Sequence, residues 1–214
     1  MVFKYYPVLL KLSGRLCVVI GGGKVAERKV KSLLECEASI RLISPDLTPG
    51  LAMLVNKKMI DYKQGNYTDA DLDGAFLVIA ATNKKEVNDS VYAECLKKRI
   101  LINVVDAPSK TNFIVPSTMR TGSLSISVST DGKSPLMARL IREELESFYT
   151  QEFGLFLDFL ADIREQVIVN FQDKNIKQKI FSNLVDKETF RLLRQGYLEK
   201  AKERVNCVYN SYRS

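Results

Sequence analysis

The chain has 214 residues, of which 46% are hydrophobic and 27% charged, as in ordinary soluble globular proteins. No stretch approaches the roughly 18 apolar residues of a membrane-spanning helix, and the N-terminus lacks the pattern of a signal peptide. We therefore expect a cytoplasmic protein with no membrane partner. The net charge of +7 is spread along the chain, whereas nucleic-acid binders concentrate it in a stripe, so we expect no nucleic-acid partner.

The chain contains no histidine, which excludes Ser-His-Asp catalysis and histidine-ligated metal sites. Its four cysteines, Cys17, Cys36, Cys95 and Cys207, lack the close spacing of metal and redox motifs. We expect no bound metal and reduced, packed thiols. Any proton transfer must then use a carboxylate, lysine, tyrosine, cysteine or water.

The first half of the chain alternates short apolar runs with amphipathic segments, a pattern typical of a parallel α/β sheet. The predicted strands are 16–20, 40–43, 60–62, 76–81 and 100–105, and the predicted helices are 25–34, 47–56 and 85–98. We predict a domain of Rossmann type over residues 1–112.

The pattern changes after residue 112. Segments 113–116 and 124–129 flank a Thr-Gly-Ser turn and predict an antiparallel hairpin. Pro135 is a residue favoured in a first helical turn, and it begins a predicted helix. We interpret residues 113–150 as a small β/α segment that binds substrate and forms a dimer.

From Gln151 to the end the pattern is helical, with interruptions near Asp173, Asp186 and Gly196. We predict an all-helical C-terminal domain over residues 151–214. The apolar faces of the hairpin and of these helices are too extensive to remain in water, so we expect a homodimer.

The sequence Gly21-Gly22-Gly23-Lys24-Val25-Ala26 fits the pattern G-x-G-x-x-G/A between a predicted strand and a predicted helix. Gly21 permits the tight turn, Gly23 lets the backbone approach a pyrophosphate, and Ala26 allows close helix–strand packing. The helix N-terminus offers N–H groups and a partial positive charge to phosphates. The loop predicts a dinucleotide cofactor.

Two further strand ends support this prediction. The second strand ends in Ser44-Pro45-Asp46, and Asp46 follows Gly21 by about 25 residues, near where an acidic residue meets the ribose hydroxyls. Ser44 or Asp46 there favours NAD over NADP. The sequence Ala80-Ala81-Thr82-Asn83 puts small residues at the carboxyl end of a central strand, where they leave room for a ligand in the crevice.

The last central strand is followed by an acid, Asp106, within Asn103-Val104-Val105-Asp106-Ala107-Pro108. Carboxyl ends of strands in open α/β sheets face the ligand crevice, so Asp106 is expected at the same edge as the glycine loop. The alternative is that an Asp before Ala-Pro only forms a turn. Because histidine is absent, Asp106 is the best-placed candidate for a catalytic base.

Several motifs together resemble one family, the precorrin-2 dehydrogenases and siroheme synthase N-terminal modules. They are Gly21 to Lys29, Ala80-Ala81-Thr82-Asn83, Asn103 to Pro108, Phe113-Ile114-Val115-Pro116-Ser117 and Ser127 to Arg139. The resemblance implies an enzyme of siroheme biosynthesis that oxidises precorrin-2 to sirohydrochlorin with NAD⁺. Some members of the family also insert Fe²⁺.

The resemblance also implies roles for individual residues. Lys24 and Val25 correspond to residues whose backbone meets the NAD phosphates, and Pro45 and Asp46 to the contact with the adenosine end. Asp106 matches the proposed catalytic base. The remaining cofactor candidates within the same motifs are Gly22, Ala81, Thr82 and Asn103.

Precorrin-2 carries eight carboxylates, and cations near the hairpin and its following helix are candidates to bind them. These cations are Arg120, Lys133, Arg139 and Arg142. Thr130 lies where some relatives carry a serine and is a further candidate. For each cation, the alternative is a solvated surface charge.

Two other functions remain open from sequence. A bifunctional enzyme would also insert Fe²⁺ and would use the same Asp106. A non-catalytic module that senses NAD(H) would need neither Asp106 nor the Ser127 to Arg139 segment. Only 64 residues follow residue 150, too few for the methyltransferase domain of full siroheme synthases, so we expect a separate methyltransferase to supply precorrin-2.

Overall fold

The computed structural model describes residues 5–213, in which the chain divides between Val115 and Pro116 into two compact units. The first unit is the α/β domain. The second contains the hairpin and the helical region together. The finer division at residues 112 and 150 stays a prediction.

The first unit is built on a five-stranded parallel sheet in the order β3-β2-β1-β4-β5. Its strands are β1 Leu16–Ile20, β2 Ser39–Ser44, β3 Asp61–Gln64, β4 Leu77–Ala80 and β5 Leu101–Val104. Its helices are α1 Lys24–Leu34, α2 Pro49–Asn56 and α3 Lys85–Lys98, with short 3₁₀ turns at Asp69–Leu72 and Pro108–Lys110. The predicted Rossmann-type sheet is confirmed.

Side chains alternate between the two faces of this sheet and form a separate core on each. On one face, Val19 and Leu42 pack with Ala26 and Val30 of α1. On the other face, residues of β1, β4 and β5 pack with Val91 and the rest of the buried side of α3. The central strands β1 and β4 are continuous apolar runs because both of their faces are covered.

The four cysteines differ in how deeply they are buried. Cys17 and Cys95 are buried, Cys36 is partly buried, and none of the four is bridged. Burial raises the pKa of the Cys17 thiol to about 11 and that of Cys95 to about 12, so both are inert. The prediction of packed thiols is wrong for Cys207, which is exposed on the last helix.

The second unit begins with the hairpin of β6 Ser117–Thr121 and β7 Leu124–Val128. The hairpin is confirmed, but its first strand was expected at 113–116 and lies at 117–121. The turn contains only two residues, Gly122 and Ser123, which moves the paired strand toward the turn. Phe113 instead packs against the core of the first unit.

Five helices follow the hairpin: α4 Pro135–Phe148, α5 Gln151–Asn170, α6 Lys174–Asn183, α7 Lys187–Arg194 and α8 Leu198–Ser211. Their shared core contains Phe156, Val167, Leu193 and Val205. The predicted interruptions coincide with helix boundaries, since Asp173 and Asp186 cap α6 and α7. Among residues 5–213, no helix combines the length and apolarity needed to cross a membrane.

The hairpin turn lies directly on α5. A Cβ atom at Gly154 of α5 would lie 2.5 Å from the Thr121 carbonyl oxygen, closer than real contacts allow. Beside this contact, the Ser123 hydroxyl donates to the Asp158 carboxylate at 2.6 Å. The glycine inside α5 is therefore required by close packing of the two backbones.

Candidate functional site

The glycine loop lies between β1 and α1, where its backbone packs against two neighbouring strand ends. Gly21 has a φ of +117°, and a Cβ there would lie 2.4 Å from the Ala81 carbonyl oxygen. A Cβ on Gly22 would lie 1.9 Å from the carbonyl oxygen of Asp46. Both positions therefore require glycine.

Gly23 differs from its two neighbours. It is exposed and has open space where a Cβ would lie, and it supplies no side-chain cap to α1. The N–H groups of the first turn of α1, which begins at the exposed Lys24 and Val25, thus remain available to an anion. The loop fits the phosphates of a dinucleotide.

The end of β2 forms a tight turn that holds the glycine loop. Within it, the Ser44 hydroxyl donates to the Asp46 carbonyl oxygen at 2.8 Å. Across it, the Thr48 N–H donates to the Gly22 carbonyl oxygen at 3.0 Å. Ser44 is buried, whereas Pro45 and Asp46 are exposed, so Asp46 presents its carboxylate to solvent.

Three residues that sequence reasoning missed support these two loops. The Tyr62 hydroxyl donates to the Ser44 carbonyl oxygen at 2.9 Å, and the Thr48 hydroxyl donates to the Glu27 carboxylate at 2.6 Å. Burial and the nearby Asp46 carboxylate raise the pKa of Tyr62, which keeps this donor protonated. The sequence could have indicated Thr48, because a threonine followed by a proline is typical of the start of a helix.

Ala81 and Thr82 lie at the carboxyl end of β4, beside the loop. The Ala81 N–H donates to the Ile20 carbonyl oxygen at 2.8 Å, which ties the two strand ends together. The Thr82 hydroxyl donates a hydrogen bond to the side-chain oxygen of Asn88 at 2.8 Å and accepts one from the Lys84 N–H at 3.1 Å. Thr82 thus shapes the start of α3 with its side chain, and its carbonyl oxygen also accepts from the Asn88 amide at 2.9 Å.

Asp106 lies beyond the carboxyl end of β5 and is exposed. Its φ of +58° lies in the left-handed region, which aspartate adopts more readily than most residues. Because β1, β4 and β5 are adjacent and parallel, Asp106 lies at the same sheet edge as the glycine loop. The strand order reverses between β1 and β4, which is where ligands bind in open α/β sheets.

Asn103 lies one strand position before the end of β5. Its amide donates to the Phe113 carbonyl oxygen at 3.0 Å and so fixes the segment that follows Asp106. This bond gives Asn103 a structural role besides the predicted cofactor contact.

The candidate substrate residues belong to the second unit, and several have partners there. Arg139 lies 3.2 Å from Glu143, while Arg142 pairs with Glu143 at 3.1 Å and also with Glu146. Arg120 lies on β6 and Lys133 is exposed before α4. The acids of α4 therefore compete with a substrate for two of these four cations.

Thr130 has a local bonding role. Its hydroxyl donates to the Ser134 carbonyl oxygen at 3.0 Å and accepts from the Ser134 N–H at 3.1 Å. These bonds close the turn that leads into α4. Elsewhere, no three His, Cys, Asp or Glu side chains within residues 5–213 come together to hold a metal ion.

Comparison with known families matches both units. Residues 8–117 match a family described as "Putative NAD(P)-binding", which covers just over half of the chain. Residues 121–147 match a second family, described as "Sirohaem biosynthesis protein central". The two matches follow each other in the chain as the sheet and the hairpin do.

Similar curated proteins are siroheme synthases. Siroheme synthase 3 of Aeromonas hydrophila is 36% identical over 85% of this chain and 39% of its own length. The siroheme synthase of Methylobacillus flagellatus is 41% identical over 77% of this chain and 35% of its own length. The chain spans about two fifths of the length of the curated relatives it matches.

Among solved structures, one titled "SirC, precorrin-2 dehydrogenase" is 27% identical and has a TM-score of 0.76. The match covers 93% of this chain and all of the other. The parallel sheet with its glycine loop and the following hairpin agree with these matches. The chain carries an NAD(P)-binding domain and belongs to the family that its motifs predict, the precorrin-2 dehydrogenases and siroheme synthase N-terminal modules.

Proposed function

We propose that this protein oxidises precorrin-2 to sirohydrochlorin with NAD⁺, as a step of siroheme biosynthesis in the cytoplasm. The observation that carries the proposal is the exposed carboxylate of Asp106 at the same sheet edge as the glycine loop. Family membership and the likeness to a precorrin-2 dehydrogenase support it.

The residues of the first unit fit a dinucleotide. The N–H groups at the start of α1 would bind the pyrophosphate, because Gly23 leaves space beside them. Lys24 and Val25 would contribute backbone contacts, and the turn from Ser44 to Asp46 would receive the adenosine end. Gly21, Gly22, Ala81, Thr82 and Asn103 would shape the remaining wall.

The preference for NAD⁺ over NADP⁺ is argued from charge at the end of β2. Asp46 presents an exposed carboxylate there, which would repel a 2′-phosphate. The Arg41 guanidinium donates to the Asp71 carbonyl oxygen at 3.1 Å, and Lys63 pairs with the Asp71 carboxylate at 2.7 Å. These two cations are therefore already engaged.

The oxidation removes a hydride and a proton from the carbon framework of the substrate. A bound nicotinamide supplies the hydride acceptor. Asp106 would accept the proton, since its carboxylate is exposed and the chain contains no histidine. The substrate carboxylates would bind in the second unit, at Lys133, Arg139, Arg120 and Arg142, with Thr130 shaping the turn beside them.

We further propose that the protein acts as a homodimer. Helix α4 leaves a row of large apolar side chains in water, of which Leu136 is 61% exposed and Leu140 48%. Met137, Ile141 and Phe148 extend the same row. An apolar helix face of this kind is usually covered in a symmetric assembly.

The test is anaerobic turnover of precorrin-2 with NAD⁺, compared between the wild type and Asp106→Asn. Loss of a general base costs about 10²- to 10⁴-fold in rate, so kcat should fall by that order while the Kd for NAD⁺ stays constant. Asn adopts the left-handed conformation readily, so the turn should survive the change. Asp61→Asn, an exposed carboxylate at the opposite end of the sheet, is the matched control.

Each outcome separates the alternatives. No turnover by the wild type, with NAD⁺ still bound, would favour the NAD(H)-sensing module and reject the dehydrogenase. Full turnover by Asp106→Asn would leave the dehydrogenase standing and reject Asp106 as its base. Fe²⁺ added to the product tests the bifunctional enzyme, which requires insertion faster than the enzyme-free rate.

A further inference from the structure

The segment after Asp106 turns back and runs along the outer edge of β5. The Asn112 N–H donates to the Ile102 carbonyl oxygen at 3.0 Å, and its side-chain oxygen accepts from the Ile102 N–H at 2.8 Å. The Asn112 amide also donates to the Ile100 carbonyl oxygen at 3.2 Å. One asparagine thereby occupies the place of a neighbouring strand.

Thr111 continues this pattern at the end of the strand. Its hydroxyl oxygen accepts from the Val104 N–H at 3.1 Å. The same hydroxyl lies 3.4 Å from the carbonyl oxygens of both Val104 and Ala107, and its single hydrogen can donate to either of them. Val104 and Ala107 are the two residues that flank Val105 and Asp106, so the hydroxyl spans the base of the turn that carries Asp106.

Two backbone bonds also hold this turn: the Val105 N–H donates to the Ala80 carbonyl oxygen and the Lys110 N–H to the Ala107 carbonyl oxygen, both at 2.9 Å. Asp106 adopts the left-handed conformation, which costs free energy for any residue other than glycine. The backbone bond that closes the turn, from the Ala107 N–H to the Val104 carbonyl oxygen, is 3.3 Å long. The neighbouring Lys110 pairs with Asp89 of α3 and anchors the chain beyond the turn, but this ion pair does not reach Val104.

We propose that Thr111 is a positioning residue for the reaction: its hydroxyl fixes the turn that presents the Asp106 carboxylate. This inference rests on the proposed role of Asp106 as the base. The threonine itself need not touch the substrate. A base displaced by about 1 Å can lose up to about 10²-fold in rate, so the bonds at the foot of the turn matter to catalysis.

The experiment compares Thr111→Val and Thr111→Ser in the wild type and in the Asp106→Asn background. Thr111→Val keeps the shape of the side chain and removes the hydroxyl; kcat should fall about tenfold to a hundredfold, with an unchanged Kd for NAD⁺. Thr111→Ser should restore most of kcat. Thr68→Val is the matched control, since its hydroxyl bonds Asp71 in another loop of the same unit.

The Asp106→Asn background separates positioning from a general structural role. If Thr111 acts through the carboxylate, Thr111→Val causes no further fall in kcat once the carboxylate is gone. An equal fall in both backgrounds, or no fall in the wild type, overturns the proposal. Hydrogen exchange gives a second readout, because loss of the hydroxyl should speed exchange of the Val104 N–H; an unchanged rate also overturns it.

Failure of the proposed function is distinguishable. Full turnover by Asp106→Asn rejects Asp106 as the base and with it any catalytic meaning of Thr111. An impaired Asp106→Asn together with an unimpaired Thr111→Val rejects the Thr111 proposal alone.

Discussion

Gly23 has ordinary backbone angles and open space around its α-carbon, so a side chain placed there should leave the fold intact. Gly23→Asp should nevertheless abolish NAD⁺ binding, because it adds bulk and negative charge where the pyrophosphate must approach. Calorimetric titration measures the effect, and Gly23→Ala, which adds bulk alone, should lose less affinity. A folded Gly23→Asp that binds NAD⁺ like the wild type would contradict the loop assignment.

The positions of several candidate site residues could be predicted from the sequence, whereas the side-chain bonds that support them could not. The glycine positions followed from backbone geometry that a motif records, and the position of Asp106 followed from the rule that ligands meet strand carboxyl ends. The supporting bonds of Tyr62 and Thr111 could not be predicted: the Tyr62 bond depends on β3 lying beside β2, and the Thr111 bonds depend on the chain turning back along β5. The spacing of four residues between Arg142 and Glu146 allows an ion pair on a helix, but whether the pair forms depends on side-chain conformations that the sequence does not determine.

At the scale of an element, Asp186 makes the stability of α7 depend on pH. Its carboxylate accepts from the N–H and hydroxyl of Thr189, both at 2.8 Å, and pairs with Arg204. These bonds hold its pKa at about 2, below the usual 3.8. A lowered folded-state pKa means that the stabilisation is present above about pH 4 and is lost as the pH falls toward 2.

Asp186→Ala should therefore lower the free energy of unfolding at pH 7 by about 1 kcal/mol, the usual value of an N-cap. The ion pair adds little because the Asp186 side chain is 49% exposed. Urea unfolding across pH should show the difference from the wild type shrinking below about pH 4. Asp162→Ala, at an exposed position of α5, is the control, and a difference independent of pH would refute the capping role.

The glycine of α5 gives a second prediction at this scale. Gly154→Ala would ordinarily stabilise a helix by about 1 kcal/mol. Here the new methyl group would collide with the Thr121 carbonyl oxygen at 2.5 Å, so we expect a lower Tm instead. Gln166→Ala, exposed on the same helix, should leave Tm nearly unchanged; a raised Tm for Gly154→Ala would exclude the close hairpin contact.

The helices and strands were predicted correctly where a local sequence pattern alone decides the structure. Helix α3 was predicted at 85–98 and lies there, and the helix breaks near Asp173, Asp186 and Gly196 are confirmed. The prediction of a hairpin strand at 113–116 is wrong because an apolar run indicates burial but does not indicate which element it packs against. Phe113 is partly buried against the sheet core, and β6 consists of the more polar residues that follow.

At the scale of the whole molecule, the apolar row of α4 tests the proposed homodimer. Leu140→Glu puts a charge into the centre of this row and should convert a dimer to monomers at micromolar concentration, as measured by sedimentation equilibrium. Gln166→Glu adds the same side chain at an exposed position of α5 and should not change the mass. A wild-type monomer at that concentration would argue against the homodimer.

The outer edge of β5 has a consequence for solubility. A terminal strand with unpaired N–H and C=O groups is a template on which another chain can pair and aggregate. Asn112 and Thr111 occupy those groups with side-chain bonds, and a side chain, unlike a strand, offers no further edge to extend. On this side the sheet therefore ends at β5, and the segment that covers the edge also carries the acid at its turn. Replacing Asn112 would then leave the Ile102 N–H and the Ile100 carbonyl oxygen without these side-chain bonds. We expect such a variant to be less soluble than the wild type, whatever its turnover.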